Sequence, residues 1–176
     1  MRKIIAIKHL PEEATYDEMS SPVGKLTIIT SNKGLHAVLW DLDTRNNHYI
    51  QIINVLKYAQ TNMSTKTRQQ LEEYFAGTRK NFDIPLAING TEFQIQAWHA
   101  LLEIPYAETI SYKAQAEKLG DKNKARAIGM ANSLNPISII IPCHRVVGSN
   151  NNLVGFAGGL ERKEYLIQLE KKYFQN

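Results

Sequence analysis

Apolar positions in the first half of the chain fall in short runs with partial alternation. "KLTIITS" (25–31) and "GLHAVLW" (34–40) have the period of half-buried strands. "SNKG" between them carries the turn chemistry of a hairpin. The spacing changes in "HYIQIINVLKYA" (48–59), where Tyr49, Ile52, Ile53 and Leu56 recur at helical intervals. "STKTRQQLEEYFAG" (64–77) predicts a second helix, with Ser64 as N-cap and Gly77 just past its end. "TRKNFDIPLAING" (78–90) then mixes charge, Pro and Gly without a period, and the domain boundary is expected within it.

The second half is mostly helical. Thr91 and Gln94 form a capping box ahead of a stripe of Phe93, Ala97 and Leu101. "IPYAET" breaks that helix. Ser111 can cap a helix over 112–119 that Gly120 ends, and Asp121 can cap another over 122–132. Two short helices joined by a Gly-containing turn outline a helix-turn-helix. The second carries Arg126, Ala127, Gly129, Met130 and Ala131, several of them small enough for close approach to a neighbouring helix or a groove. "ISIII" (137–141) reads as a strand running into Pro142, and "GFAGG" leads into a last helix over 160–174. There Leu166, Leu169 and Tyr173 share a stripe, and Glu170 falls on its inward side, where a carboxylate needs a partner. The expected fold is α/β (α+β): a small N-terminal α/β domain, 1–84, then a mainly helical domain with a helix-turn-helix, 85–176.

Composition adds bounds. The chain has 176 residues, 43% of them hydrophobic, enough for a real core. No apolar run is long enough to span a membrane, and the N-terminus lacks the h-region and cleavage site of a signal peptide. The single cysteine cannot form an internal disulfide, so a cytoplasmic protein is expected. It also excludes multi-thiolate zinc sites; no metal and no cofactor is expected. The net charge of +4 is mild. More telling is the window 113–126, where Lys113, Lys118, Lys122, Lys124 and Arg126 face only Glu117 and Asp121. A solvated helix face and a polyanion-binding face both fit such a run.

The one cysteine sits in "IIIPCHRVV", between a proline and a histidine. A thiol attacks as thiolate, and a free cysteine is only a few per cent ionised near pH 7. His144 is the adjacent candidate base, although neighbours in a regular strand point to opposite faces. A turn after Pro142 could bring the two together or leave room for a bridging water. A histidine base needs a third group to fix its tautomer, and Glu170 is the inward acid available. Cys143, His144 and Glu170 are therefore a candidate nucleophile, base and orienter. The competing reading is a small buried hydrophobe at Cys143, with Arg145 pairing an acid to fix the segment.

These residues resemble a known family. "IPCHRVV" is similar to the active-site signature of the O6-alkylguanine-DNA alkyltransferases, the methylated-DNA–protein-cysteine methyltransferases. "LLEIPYAETISY", "KARAIGMANSLNPISIIIPCHRVVGSN" and "GFAGGLERKEYLIQLE" match in order and spacing, and "SPVGKLTI" and "LEEYFAGTRKNFDIPL" resemble the N-terminal domain of bacterial members. The resemblance implies a ribonuclease H-like N-terminal domain and a winged-helix-like C-terminal one. It implies that Cys143 accepts an alkyl group from guanine O6 irreversibly, once per molecule, with His144 acting through a water and Glu170 orienting it. O4-methylthymine is a further possible substrate. Tyr112 would lie near the flipped base as proton donor, and Arg126 would enter the vacated stack. Lys113 and Ser149 would join Tyr112 and Arg126 as DNA contacts. Asn135, Pro142 and Arg145 would be structural beside the site, and Val146, Phe156 and Ala157 would line the substrate pocket. The implied partner is double-stranded DNA containing alkylated bases, bound in the minor groove largely without regard to sequence, by a monomer.

Three positions depart from the family pattern or bear on it. Ala107 stands where "PYGET" has glycine. Phe156 stands where many members have tyrosine, which removes a hydroxyl near the pocket, and Ala157 leaves space beside it. They bear on which alkyl groups are accepted. Other readings are a non-enzymatic alkyltransferase-like lesion binder, which would lack the cysteine, a helix-turn-helix regulator, and a cysteine hydrolase, for which no oxyanion hole is evident.

Overall fold

A computed structural model describes residues 10–40 and 55–174. They divide into two compact units. One runs to Asn89 and includes Pro136–Ser138; the other comprises Gly90–Asn135 and the chain from Ile139 onward.

The first unit is a four-stranded sheet with one helix. β1 (Thr15–Ser21), β2 (Gly24–Ser31) and β3 (Gly34–Trp40) form an antiparallel meander, and β4 (Lys57–Tyr58) pairs parallel with β1 in the order β3-β2-β1-β4. The β2–β3 turn is the expected one: Ser31 faces Gly34, whose φ of +132° suits glycine. Leu26, Ile28, Ile29 and Val38 are fully buried. The helix expected over 48–59 lies mostly outside the described residues; of the rest, Val55 is helical, and Lys57–Tyr58 form strand β4 instead. Edge pairing with β1 overrides the helical spacing there. β1 itself is too polar to stand out as a strand. Its Asp17 is fully buried and accepts bonds from the Glu18 amide (2.8 Å), the Ser64 hydroxyl (3.1 Å) and Arg68.

Helix α1 (Asn62–Phe75) packs on this sheet through Leu71 and Tyr74. Its N-cap is Thr61, not Ser64. Ser64 lies three residues inside and returns the bond to the Thr61 amide, a reciprocal capping box. Gly77, with φ +78°, follows the helix end.

The second unit is helical: α2 (Glu92–Leu102), α3 (Tyr112–Lys118), α4 (Ala125–Ser133) and α5 (Leu160–Phe174). Thr91 and Gln94 close the expected capping box, and Ser111 caps α3. Asp121 caps a 3-10 turn, Lys122–Lys124, and α4 proper begins only at Ala125. Ala97, Ala116, Ile128 and Ala131 form the core of α2, α3 and α4. The Trp98 indole donates to Ala131 O at 2.9 Å, and Asn132 donates to Gln115 at 2.8 Å, so the buried polar atoms are paired within the bundle. None of the described helices is long and apolar enough to cross a membrane.

The strand expected over 137–141 does not form. Ile137 makes a single bridge to Val38, and the chain then turns, with Ile139 at φ +72°. That conformation is costly for a β-branched residue. It is held because the Ile139 side chain is buried and Asn135 Nδ2 donates to Ile141 O at 2.8 Å, closing the turn.

Candidate active site

Cys143 opens a 3-10 turn, Cys143–Arg145, set up by Pro142 and closed by the Arg145 amide bonding Pro142 O at 3.0 Å. Three residues per turn send the three side chains in different directions. The Cys143 thiol meets Asn135, whose Nδ2 lies 3.3 Å from Sγ. His144 turns the other way, and its Nε2 is 2.8 Å from Glu170 Oε1. Arg145 runs alongside, with Nε and Nη2 each 2.9 Å from a Glu170 oxygen and Nη1 2.7 Å from Ile104 O. Directly after the turn, β6 (Val146–Val147) pairs with β5 (Ile110–Ser111), the residues just ahead of Tyr112. This short parallel pairing fixes Tyr112 relative to the thiol.

Glu170 is the hub. It is almost fully buried and accepts from His144, Arg145 and the Ala107 amide at 2.9 Å. Burial alone would raise its pKa; the bonds and charges of His144 and Arg145 outweigh that and bring it down to about 2. A carboxylate only accepts, so His144 Nε2 carries the proton and Nδ1 bears the lone pair. Burial lowers the His144 pKa, against the pull of Glu170, and favours the neutral ring. Nδ1 is buried and has no hydrogen-bond partner among the described residues. The structure therefore presents a neutral imidazole with an unused acceptor, anchored from behind. No direct bond joins Cys143 to His144.

Burial raises the thiol pKa; the Asn135 bond and the charge of Lys163 pull it back. Asn135, expected to be structural, thus touches the sulfur. The side chain that sequence reasoning missed is Lys163, fully buried on α5. It lies on the same three-to-four-residue stripe as Leu166, Ile167 and Glu170, so helical spacing alone could have found it.

A cavity of about 440 Å³ opens beside α4, lined by Tyr112, Arg126, Gly129, Val154, Phe156 and Ala157 among others. The Tyr112 hydroxyl donates to Val154 O and Gly155 O at 3.1 and 3.0 Å, and burial raises its pKa to about 12, which keeps it a proton-bearing phenol. Lys113 and Ser149 are exposed away from the cavity lining. Val146 is fully buried in β6 and does not line it. Among the described residues no group of three His, Cys, Asp or Glu side chains is arranged to hold a metal.

Two family models match the chain: the DNA binding domain of 6-O-methylguanine DNA methyltransferase over residues 92–172, and its ribonuclease-like domain over 14–88. A curated methylated-DNA–protein-cysteine methyltransferase of Methanosarcina barkeri is 43% identical over 157 residues, 89% of this chain and 96% of that protein. The crystal structure of Mycobacterium tuberculosis O6-methylguanine methyltransferase superposes with a TM-score of 0.81 at 38% identity, covering 91% of this chain and 94% of that one. The structure of M. tuberculosis OGT in complex with DNA matches with a TM-score of 0.80 at 39% identity, over 90% and 94% of the two chains.

Proposed function

This chain belongs to the methylated-DNA–protein-cysteine methyltransferase family of DNA repair enzymes, and from that membership we propose that it takes the alkyl group of O6-alkylguanine in duplex DNA onto Cys143, once per molecule. The observation that carries the proposal is His144, one residue after the single cysteine, with Nε2 on Glu170 and Nδ1 buried without a partner among the described residues.

A water bonded to Nδ1 relays the Cys143 proton to the imidazole. The thiolate sulfur then forms a bond to the alkyl carbon while the carbon–O6 bond breaks. The electron pair stays on the guanine, which takes a proton from the Tyr112 phenol or from water. The product is a neutral thioether at Cys143 that nothing in the site can cleave, so turnover stops at one. Glu170 acts through His144 and is a positioning residue.

A stacked base hides its O6 substituent from a buried thiol, so the nucleotide must be extruded, at a few kcal/mol. The apolar cavity beside Tyr112 suits a flipped base, and Arg126 at its edge suits the gap left behind. Helices α3 and α4 would act as a helix-turn-helix in the minor groove, with Lys113 and Ser149 on phosphates, a mode that reads the lesion rather than the sequence. Phe156 at the wall in place of tyrosine presents an apolar surface there.

The test is label transfer from duplex DNA carrying radiolabelled O6-methylguanine. Wild type takes label on Cys143 and Cys143→Ala takes none, while His144→Ala slows transfer by about 10²–10⁴-fold as expected for a lost general base. Label on Cys143→Ala protein would sink the proposal.

A further inference from the structure

Met130 stands on α4 with 42% of its surface open to solvent. A single exposed methionine is ordinary on a protein surface, so its place is what counts. The inward residues of α4 are Ile128, Ala131 and Asn132, and the outward ones are Arg126, Ala127, Met130 and Ser133. Of the outward ones only Arg126 and Met130 are long. Ala127 and Gly129 lie between them, so the two project from an otherwise shallow face.

The thioether is not adrift in solvent. The Ser133 hydroxyl donates to Met130 O at 2.8 Å and lies 3.9 Å from Sδ, and Ser133 lines the cavity together with Arg126 and Gly129. Met130 therefore leans toward the turn after it, at the edge of the cavity that Arg126 lines from the turn before. Around this face Lys113, Lys118, Lys122 and Lys124 are exposed, and with Arg126 they suit a polyanion. A polyanion that also covers an apolar side chain is nucleic acid, whose minor groove offers sugars and base edges to an unbranched, polarisable thioether.

We propose that Met130 is an apolar wedge, which enters the minor groove of duplex DNA beside the extruded nucleotide and unstacks a neighbouring step. This rests on the reading of α4 as the helix in the groove. Arg126 and Met130 are four residues apart, about 6 Å along the helix axis, which is roughly two base steps. Arg126 fills the gap that the lesion leaves, and Met130 loosens the stack next to it, which lowers the cost of extrusion. Ala127 and Gly129 let the backbone approach closely enough for both side chains to reach. The wedge carries no group that reads a base edge, so it acts on any sequence and favours sites that are already poorly stacked.

Transfer is measured from two labelled donors: O6-methylguanine in duplex DNA, and O6-methylguanine as the free base, which needs no extrusion. Wild type, Met130→Ala and Met130→Leu are compared. Alanine suits an exposed helix position, so the variant keeps the fold, checked by melting temperature and by iodoacetamide alkylation of the single cysteine. Met130→Ala is expected to be roughly tenfold slower on duplex, the loss of about two methylene-sized groups from a buried contact, with its free-base rate unchanged. Met130→Leu stays close to wild type on both. An unchanged duplex rate in Met130→Ala, or an equal loss on both donors, overturns the wedge. A second readout needs no transfer. 2-Aminopurine, whose fluorescence rises on unstacking, is placed two steps to either side of the lesion and read with protein carrying Cys143→Ala. The rise is expected with Met130 and is lost on adding Met130→Ala; the same signal from both overturns the proposal. If wild type takes label from neither donor, the acceptor reading fails, and the 2-aminopurine signal still judges the wedge.

Discussion

Glu170 meets His144, Arg145 and the Ala107 amide, and each makes a different demand on it. His144 needs it as an acceptor, Arg145 as a counter-ion, and Ala107 as a backbone anchor. Removing its charge strands Arg145 in a buried site. Glu170→Gln is expected to destabilise the second unit by about 3–5 kcal/mol and to slow transfer, read by thermal melting and by label uptake. The carboxyl is held at about 2 in the folded chain, below its ordinary value. The unfolded chain therefore binds the proton first as pH falls. The stability contributed is present above about pH 5 and is lost between roughly pH 4.5 and 2, on the order of 3 kcal/mol. Urea unfolding of wild type and Glu170→Gln across that window should converge at its acid end. Parallel curves would mean the carboxylate is not held down. Ala107 stands at φ +66° with its amide on Glu170. Ala107→Gly keeps the bond and relieves the left-handed strain, so it should stabilise by about 0.5–1 kcal/mol, a gain of a few degrees in melting temperature. The pairing of His144 with Glu170 was legible from spacing and burial logic. The shared role of Arg145 was not, because which acid it meets is settled by tertiary packing across 25 residues.

Elements with strong local signals were legible: the β2–β3 hairpin, the Thr91–Gln94 capping box, and α5 with its bounds at Leu160 and Phe174. The errors came where long-range contacts overrule local pattern. Five β-branched and small residues at 137–141 read as strand, yet only Ile137 finds a strand neighbour, and Asn135 turns the rest. β1 was hidden by its polarity, since its one buried acid is satisfied by Ser64, 47 residues away. At α1, Thr61 and Ser64 are both good caps by composition; geometry chose the reciprocal pair. Thr61→Ala should cost about 1 kcal/mol in urea unfolding, whereas Ser64→Ala leaves the N-cap acceptor in place and should remove the return bond and the hydroxyl's bonds to Thr61 O and Asp17. Equal costs for both would argue that the buried Asp17 contact, rather than the cap, dominates.

For the whole molecule, the two family matches cover most of the chain, one falling on the sheet unit and one on the helical unit. The modest net charge of +4 conceals a local cluster of cations in and beside α3 and α4. Binding to undamaged duplex should weaken steeply with salt, and Lys113→Ala should reduce the log–log salt slope by about 1 without slowing iodoacetamide at Cys143. An unchanged slope would remove Lys113 from the DNA-facing surface. The central claim is a single, irreversible transfer to one sulfur. Intact mass, with peptide mapping, after incubation with excess duplex carrying O6-methylguanine tests it most directly. The account predicts a gain of one methyl group, on Cys143, with no further gain on longer incubation. Protein of unchanged mass with the lesion removed, or a methyl on any other residue, would contradict it.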